Sequence, residues 1–355
     1  MTEGISGWRP DWANPLGLND GPSLAPTPAP VRDPFEHPMP LLPQSLPRTA
    51  LAPAAAVPAT PAARDAQVRV SLDAFRQAMN APYHTPEGVA WPGTTFQMST
   101  PYPMQVTEVP RNASALRLAI ASAHLDPADA VDVLTARGSP EAIHAVTQAL
   151  IDHGQLPPAS EGDLDSRVRL MTFNHGIGVD CAGYVQQAYL RVMRLDRADA
   201  GFRRSNEDLS TLGARGYTRV GDLASVRPGD IVALGPPFTP PGFRSEPGHR
   251  AIVYEQHLAS GGELGELGAM GAAGARMVEA GPVRIVQVDS SWGSGGDPSM
   301  GGVRRETWWH CETTGTWGWV QQRGPAGPGS LETASTPLAH PFAPPFGIFR
   351  GAARP

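Results

Sequence analysis

The sequence predicts an α+β protein: a helix carrying a cysteine, packed on an antiparallel sheet and preceded by a small helical region. Three observations point there. An apolar run with helical spacing, Val185, Ala188, Tyr189, Val192 and Met193, follows Asp180-Cys181. After it come short β-branched and aromatic segments separated by turn signals, at 217–220, 230–234, 249–254, 283–288, 303–309 and 316–320. Ahead of it, residues 112–154 show three helix starts in succession.

Taken in order, residues 1–66 carry 14 prolines, in runs such as APTPAP and APAAAVPATPAA. That composition predicts an extended segment with no core of its own. Trp8, Trp12 and Phe35 within it are candidate docking motifs. Residues 67–160 read as a mixed stretch, Val68 to Met79, then the turn-rich APYHTPEGVAWPG, then the helices. Asn112 or Ser114 caps the first, Asp126-Pro127 opens the second, and Ser139-Pro140-Glu141 opens a third that stops at Gly154.

Residues 161–321 form the next predicted domain, which the motifs below mark as catalytic. Asp180 is a natural N-cap and Cys181 falls in the first helical turn. Unpaired N–H groups and the positive end of the helix dipole favour a thiolate there. A polar helix is expected near 206–212. Residues 259–275 (ASGGELGELGAMGAAGA) read as a flexible insertion between strands, and residues 322–355 as a Pro/Gly-rich tail.

Composition narrows the function classes. Net charge is −6 with no basic block, which argues against nucleic acid. No apolar run approaches a membrane span. The N-terminus has neither a basic n-region nor an apolar h-region, so synthesis in the cytoplasm and export by dedicated machinery is the expectation. Two cysteines, Cys181 and Cys311, make no disulfide framework. No metal-ligand spacing is present, so no cofactor is expected. All 28 basic residues are arginine. A GC-rich coding sequence accounts for that, and so does selection against ubiquitination.

Three landmarks follow one another: Asp180-Cys181-Ala182-Gly183-Tyr184-Val185, Arg227-Pro228-Gly229-Asp230-Ile231-Val232 and Gly248-His249-Arg250-Ala251-Ile252-Val253. Their order and spacing resemble the NlpC-type cell-wall cysteine peptidases, a branch of the papain-like fold. The likeness covers roughly residues 165–320. It implies Cys181 as nucleophile, His249 as acid and base, and a polar orienting residue on the next strand. On that strand Gln287 and Asp289 share a face by alternation, and Asp289 is the first choice. Ala182 departs from the family's serine. The family's upstream tyrosine has no counterpart; Phe173 or His175 falls nearby, and only His175 can donate a hydrogen bond.

The resemblance implies a peptidoglycan stem peptide as substrate, cut at an amide bond. Two other readings fit the same residues. One is a delivered effector that cleaves or deamidates a protein in a target cell. The other is an inactive structural component of a phage tail or injection particle, with the Pro-rich segment engaging the delivery machinery.

Overall fold

A computed structural model describes residues 60–95, 97, 113–195, 217–234, 249–292, 301–320, 331–334 and 347–351. Trp8, Trp12, Phe35, Gly248 and the helix expected at 206–212 lie outside the described residues.

The helical layer opens with α1 (Pro61–Met79), capped by the Thr60 side chain on the Ala63 N–H, with proline in its first turn. The stretch read as mixed from Val68 is thus one continuous helix, and the expected boundary at 66 falls inside it. Leu72, Phe75 and Met79 form its buried stripe. A hairpin, β1 (Tyr83–Thr85) and β2 (Gly88–Ala90), follows. Then come α2 (Ala113–Ser122), α3 (Pro127–Leu134) and α4 (Pro140–Asp152). Asp126 and Ser139 cap the last two as their sequence signals require. Next are α5 (Leu164–Asn174), capped by Asp163, and α6 (Cys181–Met193), capped by Asp180. None of these helices is long and apolar enough to cross a membrane.

The strands are β3 (Thr218–Arg219), β4 (Ile231–Leu234), β5 (His249–Leu258), β6 (Val283–Trp292), β7 (Gly302–Cys311), β8 (Trp317–Val320), β9 (Leu331–Ala334) and β10 (Gly347–Arg350). They form one antiparallel sheet in the order β3-β10-β4-β5-β6-β7-β8-β9. The expected C-terminal tail therefore contributes two strands, and β10 fills the place between β3 and β4. The expected flexible insertion is two helices, α7 (Gly261–Ala269) and α8 (Ala272–Ala280). Glu263 accepts from the Ser260 N–H to start α7, and Leu267 and Met277 pack on Val283, Ile285 and Trp309. Burial of those two side chains outweighs the low helix propensity of the glycines.

The sheet has two distinct faces. Ile231, Ile252, Val303 and Phe349 meet Leu72, Phe75, Tyr184 and Val185 in one core under α1 and α6. That core also holds Leu116, Val146 and Leu150, so residues from both sides of the boundary expected at 160 share it. On the other face lie Val232, Ala251, Val253, Val286, Val288, Trp308 and Trp317. The sheet curls around this second face until Trp317 of β8 and Ile348 of β10 line one cleft of about 190 Å³.

One glycine shows how tightly α6 is seated. A Cβ at Gly183 would stand 2.2 Å from the Ala136 carbonyl oxygen and 3.0 Å from the Arg137 Cα. Gly183→Ala gains about 1 kcal/mol in helix propensity but forces main chain apart. The expected net is a loss of about 1–3 kcal/mol, measured by urea unfolding. A variant as stable as the parent would contradict this seating.

Candidate active site

Cys181 is the first residue of α6, with Asp180 at the N-cap accepting from the Gly183 N–H. This is the placement read from the sequence. The loop before it is fixed from three sides. The Val179 N–H donates to the Thr95 carbonyl (3.1 Å), the Gln97 N–H donates to the Val179 carbonyl (3.4 Å), and the Ser291 hydroxyl donates to that same carbonyl (2.7 Å). Across the loop, α6 packs on β5 and β6.

The electrostatics reverse the expectation for the thiol. The residue is half-buried, but its sulfur is enclosed. Burial pushes the thiol up to about 12, and the Asp180 carboxylate pushes the same way. The N–H groups of Arg250 and Ala182 and the Arg250 charge pull down, and they are outweighed. The helix dipole is present, but its N-cap carries a negative charge one residue from the sulfur. Alkylation of Cys181 is therefore expected to be slow at pH 7.5 and to climb steadily above pH 9. Peptide mass mapping after iodoacetamide treatment measures it. A half-maximal rate below pH 8 would contradict the enclosed sulfur.

His249 is the first residue of β5, as read from the sequence, but its side chain lies on the second face. Alternation from Ala251 and Val253 puts it there. Its ring stacks on Trp292, with centroids 3.8 Å apart at 30°. Burial pushes the imidazole down to about 3, and the Arg304 charge adds to that. Nε2 is buried without a hydrogen-bond partner among the described residues. Cys181 arrives from the helical face and meets the main chain of Arg250, next along the strand. Both groups rest neutral, the thiol pushed up and the imidazole pushed down by burial.

Asp289 is not the residue that orients His249. It pairs with Ile252 across the ladder and so faces the helical layer. There, fully buried, it accepts two hydrogen bonds from Arg305, at 2.7 and 2.8 Å. Arg305 also meets Asp73 of α1 at 3.0 Å and lies 3.2 Å over the Tyr254 ring. The Tyr254 hydroxyl donates to Asp73. Burial holds the Asp289 carboxyl above its usual range despite Arg305. Gln287 shares that face by alternation, so it does not meet the imidazole either. His175 caps α5, and its Nδ1 pairs with the Met171 carbonyl at 2.9 Å. The residue is buried, and Nε2 has no hydrogen-bond partner among the described residues.

The residues around His249 lie outside the three motifs; of them only Trp292 stands out in the sequence, as one of a late group of tryptophans expected in the core or along a groove. Trp292 stacks on it. Arg304 lies 5.4 Å from the Trp292 ring centroid and is tied to Glu306. Ser290, on the imidazole's own face of β6, donates to the Arg250 carbonyl at 2.6 Å. The signal was the same alternation, read from Trp292 and Ser290 rather than from Asp289 and Gln287. No family model, curated protein or solved structure matches the chain.

Proposed function

We propose that the chain is a cysteine-dependent hydrolase of peptide amide bonds, with Cys181 as nucleophile and His249 as acid and base. The observation that supports it is the meeting of the α6 N-terminus with the start of β5. The candidate nucleophile touches the residue adjoining the candidate base. The likeness of the three motifs to cell-wall peptidases supports a peptidoglycan stem peptide as substrate and a papain-like arrangement of the fold. The Pro-rich composition of residues 1–66 supports delivery by dedicated export or injection machinery.

The chemistry starts from two neutral groups. For this step His249, the first residue of β5, has to swing from Trp292 around the start of the strand to the helical face, where the imidazole takes the thiol proton as sulfur attacks the carbonyl carbon. The N–H of Cys181 meets the resulting oxyanion. The imidazolium returns the proton to the leaving amine, and water then hydrolyses the thioester. The test is cleavage of a stem peptide by the wild-type chain, with loss of about a thousandfold or more in Cys181→Ala.

One observation favours a second reading, an inactive structural component of a delivery particle. The thiol is held neutral at the helical face of β5 and the imidazole is held neutral on the other face, against Trp292. Absence of turnover on every peptide substrate would select that reading.

A further inference from the structure

We propose that the turn at Ala136–Arg137, between α3 and α4, positions Cys181, and that Gln187 is the positioning residue that locks it. This rests on the reading of Cys181 as nucleophile. It makes the helical region part of the site rather than a module beside it.

The ties converge on two consecutive peptide units. The Ala136 carbonyl accepts the Asp180 N–H at 3.1 Å. Arg137 forms an isolated β-bridge with Val179. The Arg137 carbonyl accepts from Gln187 Nε2 at 2.7 Å. Gly183 has no Cβ where the Ala136 oxygen sits. Residues 179, 180, 183 and 187, on both sides of Cys181, are thus held by one turn. The last three share a helix edge by their spacing.

The turn is itself under constraint. Ala136 has φ 58°, a left-handed conformation that disfavours an L side chain, and it is buried. The Arg137 N–H donates to the Asp132 carbonyl at 2.7 Å, which fixes the turn to the end of α3. A helix held at one end by its own cap can still rotate. One residue of rotation, about 100°, would carry the sulfur away from the Arg250 N–H. The Gln187 tie, more than a turn further on, opposes that rotation. The charged groups that face the thiol, Asp180 and Arg250, would then sit differently around it.

The experiment is the pH profile of Cys181 alkylation in full-length Gln187→Leu, resolved by peptide mass mapping so that Cys311 is counted separately. Circular dichroism and thermal unfolding confirm that the variant folds. The expected result is a midpoint raised by about one pH unit and labelling at pH 10 lowered about tenfold, because the Arg250 N–H no longer steadies the thiolate. Gln187→Arg, which keeps a donor, should restore the wild-type profile. A folded Gln187→Leu with the wild-type profile would overturn the proposal, as would failure of Gln187→Arg to restore it. Should Gln187→Leu not fold, Gln187→Met keeps the length of the side chain without the donor, and an unchanged profile there overturns the proposal equally. Alkylation needs no substrate, so the outcome stands apart from whether the chain hydrolyses anything.

Discussion

Arg305→Met is expected to cost about 3–5 kcal/mol of folding stability. The reason is what it leaves behind. Asp289 is fully buried and has both carboxylate oxygens on Arg305. With the guanidinium gone, a carboxylate stands in the core beneath α1 with its charge unmatched. Asp73 and the Tyr254 ring lose the same partner. A control separates the pair's net worth from the cost of breaking it. In Asp289→Leu/Arg305→Met no fully buried charge is stranded, Asp73 being partly exposed, and most of the loss should return. Urea unfolding of the two variants measures both. A cost below about 1 kcal/mol for Arg305→Met would mean that Asp289 is not held in this way.

The second large effect is an acid limb set by His249. Its folded value is about 3, against the usual 6.5. A base with a depressed folded value binds fewer protons when folded than when unfolded. Its stabilising contribution is complete above pH 6.5 and is lost as pH falls through that value toward pH 3. Allowing for the partial exposure of the residue, the loss over that window is about 3–4 kcal/mol. Asp289 and Glu306 are raised by burial and give the opposite sign: their contribution is present at low pH and fades as pH rises through their folded values. The limb must therefore be read as a difference. His249→Phe keeps an aromatic ring against Trp292 and cannot take a proton. Its stability should fall less than wild type between pH 6.5 and pH 4, as followed by denaturant midpoints. Parallel curves for the two proteins would contradict the buried neutral imidazole.

The helical half of the molecule could be read in the sequence because its signals are local. Asp126-Pro127, Ser139-Pro140 and Asp180-Cys181 each place an oxygen acceptor beside the first orphan N–H groups. What could not be read depended on partners distant in the chain. β9 and β10 hide in Pro/Gly-rich sequence because their support is the ladder with β8, β4 and β3, not their own propensity. The glycines of α7 and α8 look flexible until Leu267 and Met277 have a sheet to cover.

The candidate site divides in the same way. Cys181 and His249 stand at the element starts that their motifs indicate. The face on which His249 lies is a matter of register, and a single residue of alternation reverses it. Asp289 was a reasonable orienting residue by spacing alone. Its actual partner, Arg305, lies on another strand and is shared with Asp73, on a helix more than 200 residues earlier. The Ala136–Arg137 turn carries no motif at all. It matters because three-dimensional packing sets it beside Gly183.

The measurement that bears most directly on the central claim is digestion of purified peptidoglycan, wild type against Cys181→Ala, with the released products weighed by mass spectrometry. The proposed function predicts soluble peptide-bearing fragments from wild type alone, with masses that place the cut at an amide bond of the stem. Identical release by both proteins would remove Cys181 from the chemistry. No release by either would contradict the cell-wall substrate and turn attention to protein substrates or to a structural role.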